Sequence, residues 1–568
     1  MSSLDDIRKR YLNFERILSQ RPIRILFEIL VIFAFFSFVL LPPLNLLKNI
    51  ITDWNSITEL IFRDPILKNT VWLSMFRSIA LSFRIAFIVM IIDIMLGIPI
   101  AHVLARYDFK GKTIIDTIID LPLAVPTSAL GFSVLLFWGS ADGLSKFILA
   151  EEGIFSQGPM LLLLGHVAFS FSYVVRNLKG VIEEVDVEIE NAARTLGAPP
   201  ISVFRTITAP MAKEGIIAGA ILAFTRSLGE TGASLLLAGV YETAPIQIVT
   251  FMNGYRIPQA AFLSVILIII SITLLGGVRQ YARKVGLPQP KIYPEFERKI
   301  SAKKIAKTRN GIVSFIFLLL VLIPALFVIF YLIDVWSIGP SGTEEDSAFF
   351  EVFLDSDNKW ESMQVALITS VEVALIVTII NLSLGIPMAY LLVRRPYWGK
   401  WKVVLDMAID IPLVIPSSAL GFAVYLLWGN LGLKLISPGI WLIVLAHLTF
   451  TYPFSVRPMI NYIENFDYSY YEAGRTLGAS DLTTFRRVVF PMLKRGILSS
   501  AILTFTRSMA ETGATLIVMG NARTVPVFIV DLVESESLSS AAFAAVLLIF
   551  ISFILLLVVR LVDNPTED

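Results

Sequence analysis

The chain has 568 residues, 56% of them hydrophobic and 16% charged, and a mean hydropathy of +0.74; that balance belongs in a bilayer and excludes an ordinary soluble domain. A net charge of +1 offers no overall basic field for nucleic acid. The absence of cysteine excludes disulfides, thiolate metal sites and thiol catalysis, and three histidines, His102, His166 and His447, are too few for an ordinary zinc site.

Roughly 20 apolar residues span a bilayer, and stretches of that kind begin near Ile25, Ile79, Thr117, Met160, Met211 and Ala261. The first, Ile25 to Leu47, is too long for a signal-peptide core and has no small-residue cleavage site behind it, so it reads as a retained helix. After a polar segment, further stretches begin near Gly311, Gln364, Val403, Ile440, Leu493 and Ala541. The pattern predicts an all-α membrane protein of about twelve transmembrane helices in two repeats, 1–280 and 311–568, joined by a basic linker over 281–310. An even number of helices per repeat makes the repeats parallel, related by an axis along the membrane normal.

The duplication is legible residue by residue. Asp93 in the second helix has Asn381 as its counterpart, and both read as helix contacts. In the third helix Leu121-Pro122-Leu123, Pro126, Ala129-Leu130-Gly131-Phe132 and Trp138-Gly139 recur 290 positions later as Ile411-Pro412-Leu413, Pro416, Ala419-Leu420-Gly421-Phe422 and Trp428-Gly429. The prolines predict kinks. Beyond Gly139 the offset falls to 281, which places a nine-residue insertion in the following loop, around Ala150 to Gln157. His166 and His447, near the middle of the fourth helices, read as buried packing residues.

Between the fourth and fifth helices each repeat has about 30 polar residues. In the second, Glu472-Ala473-Gly474-Arg475-Thr476-Leu477-Gly478-Ala479 predicts a short helix stopped by glycine, after which Asp481 can cap a second helix running to Pro491. In the first, Asn191-Ala192-Ala193-Arg194-Thr195-Leu196-Gly197-Ala198 does likewise, with a second helix to Pro210. Two short helices at an angle make a rigid knob, with the leucine as an apolar anchor and the glycine allowing a left-handed turn. In the fifth helix, Arg226-Ser227 with Glu230-Thr231-Gly232-Ala233 recurs as Arg507-Ser508 with Glu511-Thr512-Gly513-Ala514. Charges four apart fall on one helix face and can pair, and charge inside a membrane faces the bundle interior or a water-filled path. Gly229, Gly232 and Gly513 permit a local break. Arg226, Glu230, Thr231, Arg507, Glu511 and Thr512 are therefore pore or gate candidates, with bracing of the bundle as the plainer role.

Lysine and arginine near helix ends set the orientation. Arg8, Lys9, Arg10, Arg16, Arg21 and Arg24 precede the first helix, and the linker carries ten basic residues between Arg279 and Arg309, whereas Asp334 to Glu361 is acidic. Both termini, the linker and the knobs are expected in the cytoplasm.

The knob pattern resembles the coupling motif of binding-protein-dependent ABC importer permeases: Glu-Ala-Ala, three residues, Gly, and later a hydrophobic-Pro. Glu472-Ala473-Gly474 with Gly478 and Pro491 departs only at Gly474, whereas the first copy has Asn191 for glutamate. The resemblance implies a type I importer fold in a prokaryotic inner or plasma membrane. It also implies that Asn191, Ala192, Ala193, Arg194, Leu196 and Gly197, with Glu472, Ala473, Gly474, Arg475, Leu477 and Gly478, dock two ABC ATPase subunits, while an extracytoplasmic binding protein delivers the solute. Arg-Ser-x-x-Glu-Thr-Gly-Ala is similar to the signature of molybdate, tungstate and sulfate permeases, and a Gly-Glu-Thr form occurs in phosphate permeases. The fused layout is also typical of ferric-iron and thiamine permeases. No cofactor, metal or catalytic residue is expected in this chain: Gly111-Lys112-Thr113 lacks the first glycine of a nucleotide loop, with Arg106 in its place, so ATP and Mg belong on the partner ATPases. An ion-coupled secondary transporter is the alternative; it predicts midplane acids without arginine partners and no knobs.

Overall fold

The computed structural model describes residues 21–63, 70–148, 152–284, 294–394 and 399–563. Arg8, Lys9, Arg10 and Arg16 of the basic tail, and Lys291 of the linker, lie outside the described residues.

In the first repeat α1 (Ile25–Thr52), α2 (Thr70–Arg106), the divided pair α3 (Lys112–Ala124) and α4 (Thr127–Val134), and α5 (Pro159–Glu184) lead to the short helix α6 (Val187–Thr195). There follow α7 (Lys213–Leu228), α8 (Gly232–Leu237), α9 (Ala244–Asn253) and α10 (Ile257–Lys284). The second repeat runs α11 (Lys304–Asp334), α12 (Lys359–Arg394), α13 (Lys400–Val414), α14 (Ser417–Trp428), α15 (Ile440–Glu464) and α16 (Ser469–Thr476). It ends with α17 (Lys494–Met509), α18 (Gly513–Val518), α19 (Val525–Glu534) and α20 (Leu538–Asp563).

Among the described residues eight helices are long and apolar enough to cross a membrane unbroken, and three bent pairs bring the number to eleven. The remaining expected span, the third of the first repeat, is likewise divided between α3 and α4. The breaks fall at Pro126 and Pro416, not at Pro122 and Pro412, which stay inside α3 and α13. Ile415 is extended, at φ −76° and ψ 133°, because a residue before proline is pushed out of the helical region. The result is sharper than a kink: α13 and α14 diverge by 107°.

The fourth helices α5 and α15 form the centre, each 72% buried along its apolar stretch against 28% for α2. At 37 residues α2 extends about 55 Å, well past the apolar thickness of a bilayer, and so carries Arg106 beyond it. The first helices are exchanged between repeats. Phe35 of α1 stacks on Tyr452 of α15 at 5.2 Å, and the Thr449 hydroxyl donates to the Phe38 carbonyl. In return α11 lies on the first repeat, where Ser133 accepts from the Val328 amide at 2.9 Å and Phe171 packs on Phe317. Each repeat thus covers apolar surface of the other, and the two make one body.

Candidate functional site

Each repeat projects its knob at the end of the fourth helix. Asp186 caps α6 by accepting from the Glu188 amide at 2.8 Å. Asp467 does the same for α16, accepting from the Ser469 amide at 3.0 Å, and the next short helix, Asp481–Thr484, is capped by Ser480, which accepts from the Thr483 amide at 3.1 Å, so Asp481 already lies inside it. Gly197 and Gly478 take φ of +90° and +85°, the left-handed turn that glycine adopts without strain. This turn thrusts Leu196 and Leu477 outward at 89% and 88% exposure. Asn191, Ala192 and Glu472 are exposed beside them. Gly474 stands where alanine is usual because a Cβ there would meet Thr484 Cγ2 at 2.9 Å.

The two knobs are anchored differently. Glu190, directly before Asn191, is fully buried and accepts from Arg106 at 3.1 Å, Arg194 at 3.2 Å and Thr208 at 2.7 Å. Arg106 also donates to the Val185 carbonyl at 2.7 Å. The glutamate of the first knob therefore turns inward, one position early. In the second knob Arg394 donates to the carbonyls of Ile463 and Phe466 and lies 4.7 Å over the Tyr468 ring. A further brace reaches the first knob from the linker: Glu297, on the helix Pro294–Ile300, bonds Ser202 and Arg205. Sequence reasoning missed these contacts, and also the matched forks in which Arg176 grips Asp116 and Asp120 while Arg457 grips Asp406 and Asp410. The fork residues are visible in both copies, but pairings 47 to 60 positions apart have no local signature.

The intramembrane motifs meet at a seam between the repeats. Arg226 pairs with Glu230 at 3.4 Å and Arg507 with Glu511 at 3.6 Å. The expected continuous helix face is not present, because the helix breaks between the partners, with α7 ending at Leu228 and α8 starting at Gly232, and α17 and α18 doing the same. Each glutamate instead caps the second arm, accepting from the Ala233 amide at 3.2 Å and the Ala514 amide at 3.1 Å. Arg226 also feels Glu511 of the other repeat, and Arg507 feels Glu230, so all four charges form one cluster. Phe450 lies under Arg507, and Phe169 and Tyr173 under Arg226.

The seam itself is shut by backbone. A Cβ at Gly232 would meet Thr512 Oγ1 at 2.7 Å and Thr127 Oγ1 at 2.8 Å, and one at Gly513 would meet Ser417 Oγ and Thr231 Oγ1, each at 2.7 Å. Thr127 and Ser417 open the arms created by the proline breaks, so the broken third helices place their first turns on the broken fifth helices. Gly131 and Gly421 permit this, as a Cβ would lie 2.6 Å and 2.8 Å from the Cα atoms of Ala233 and Ala514. That is the use of the repeated Ala-Leu-Gly-Phe. Thr231 and Thr512 are buried, and among the described residues their hydroxyls have no partner. His166 and His447 are buried too, and bond hydroxyls on both sides of the fifth-helix breaks.

Residues 93–285 and again 300–566 match the family described as binding-protein-dependent transport system inner membrane component. The chain belongs to this family, and carries its domain twice in tandem. The permease is 34% identical over 197 residues to the molybdate/tungstate transport system permease protein WtpB of Methanocaldococcus jannaschii, covering 34% of this chain and 77% of that one. It is 33% identical over 206 residues to the sulfate transport system permease protein CysT of Salmonella typhimurium, covering 35% and 74%. With the molybdenum transport system permease protein ModB of Haemophilus influenzae it shares 35% identity over 181 residues, covering 31% and 79%. It is an ABC importer permease, multi-pass, with the fold of a type I permease.

Proposed function

We propose that the permease moves an inorganic oxyanion of the molybdate, tungstate or sulfate class, handed over by an extracytoplasmic binding protein and driven by two separate ABC ATPases. The ATPases dock on the cytoplasmic knobs at Leu196-Gly197 and Leu477-Gly478, and ATP and Mg are bound there, outside this chain. The observation that carries this reading is the matched pair of leucines, each nearly nine-tenths exposed on a rigid left-handed turn; a solvent-exposed leucine held so firmly is an anchor awaiting a pocket. The repeats 1–280 and 311–568 supply one anchor each, and the linker 281–310 with both termini lies on the same cytoplasmic side.

The seam is the gate of the pathway, shut in this structure. The names of the relatives support an oxyanion, and so does the donor chemistry: among the described residues the buried Thr231 and Thr512 hydroxyls and the Arg226 Nε have no partner, and a separating seam would offer them to anionic oxygens. An ion-coupled carrier would instead hold midplane acids without arginines, whereas both glutamates of the seam have one. The test is uptake of labelled molybdate and sulfate by cells expressing the permease with its ATPase and binding protein. Gly478→Asp should insert normally yet lose both ATPase association and uptake; a variant that still transports at the unsubstituted rate would refute the knob assignment.

A further inference from the structure

We infer that His166 and His447 are positioning residues that lock the two arms of each broken fifth helix into a single lever, so that movement of a knob reaches the seam undiminished. The inference rests on the reading of knobs and seam given above.

His166 lies in α5 but touches both arms of the neighbouring break: Nδ1 is 2.8 Å from Ser227 Oγ in α7, and Nε2 is 2.8 Å from Ser234 Oγ in α8. His447 repeats this, with Ser508 of α17 and Thr515 of α18 each at 2.8 Å. The proton positions can be assigned from the network. Ser234 donates to the Glu230 carbonyl at 3.0 Å, and Thr515 to the Glu511 carbonyl at 3.1 Å. A carbonyl only accepts and a hydroxyl has one proton, so Ser234 and Thr515 must receive from the imidazole. Nε2 therefore carries the ring proton. Nδ1 is left as the acceptor for Ser227 or Ser508, whose hydroxyls make no other bond among the described residues.

The outcome is an unbroken chain: Ser227 to His166, His166 to Ser234, Ser234 to the Glu230 carbonyl. It spans the segment where the helical ladder is interrupted, since α7 ends at Leu228 and α8 begins at Gly232. An interruption of this kind is where a helix bends most readily. With the histidine in place that freedom is removed, and α7 and α8 move as one piece. The second repeat keeps the same chain although Ser234 is replaced by Thr515, so the hydroxyl is what the two repeats share.

The test uses the complete transporter in proteoliposomes, measuring molybdate taken up per ATP hydrolysed. Ser227→Ala with Ser508→Ala removes one end of each chain and leaves both rings packed; His166→Ala with His447→Ala removes the links altogether. In each variant the complex should assemble and hydrolyse ATP while the ratio falls about tenfold, the scale of a buried hydrogen bond left unmade. An unchanged ratio, or uptake and hydrolysis falling together, would overturn the inference. If the unsubstituted transporter takes up no oxyanion, the substrate reading has failed instead, and nitrogen-15 spectra of the histidine-labelled chain decide the matter. With three histidines to assign, two should carry the proton on Nε2 and shift in the serine variant. Two rings protonated on Nδ1, or on both nitrogens, would contradict the lever.

Discussion

Gly232 and Gly513 have no side chain because the opposite threonine occupies the space where one would be. Gly232→Ala forces a methyl within 2.7 Å of Thr512 Oγ1, and overpacking of that kind costs about 1–3 kcal/mol. The cost falls on the shut state, so passive anion leak through ATP-free proteoliposomes should rise; leak equal to that of the unsubstituted chain would show that the seam does not seal there. Asp93 and Asn381 form a natural comparison. Asn381 donates to Thr451 at 2.8 Å, while Asp93 bonds Ser170 at the equivalent place. A neutral amide thus already serves in one repeat, and Asp93→Asn should retain uptake and thermal stability to within about 0.5 kcal/mol, whereas Asp93→Leu leaves Ser170 with fewer partners and should lower Tm. The residue scale was only partly legible. Arg226 with Glu230 and Arg507 with Glu511 pair as their spacing implies, yet across a break, because glutamate caps the second arm. The histidines read as packing residues because nothing local in the sequence announces hydroxyls more than 60 positions away.

At the scale of elements, the knobs were the most legible part, since glycine after a short helix specifies the turn and the exposed leucine follows. Their anchoring was not. The first knob depends on the buried Glu190, whose counterpart at an offset of 281 is Tyr471. Removing one partner of a buried charge cluster costs about 3 kcal/mol or more. Glu190→Ala should accordingly speed hydrogen exchange through 187–203 and leave 469–484 unchanged, the second knob serving as internal control; equal effects on both, or on neither, would contradict separate anchoring. The third helices turn more sharply than the expected kinks, and the fifth helices break where their glycines permit it. Hydropathy reports apolar length and is blind to direction, and the prolines at 126 and 416 and the Glu-Thr-Gly turns redirect the backbone without interrupting the apolar run.

On the scale of the whole molecule, duplication is what made the fold readable: twelve apolar stretches in two sets, with matching residues at fixed offsets, specify two equivalent six-helix units. What no offset specifies is the exchange of α1 and α11 between repeats, which follows from long-range packing such as Phe35 on Tyr452. That exchange ties the halves, each with its knob, together around one seam. The chain contains no cysteine, and single cysteines at Leu196 and Leu477 therefore give a direct measurement. Each should cross-link to an ATPase subunit in the assembled transporter and resist a membrane-impermeant thiol reagent applied from outside the cell. Labelling of either position from outside, with no cross-link to the ATPase, would contradict the claim that these turns take up the work of ATP hydrolysis.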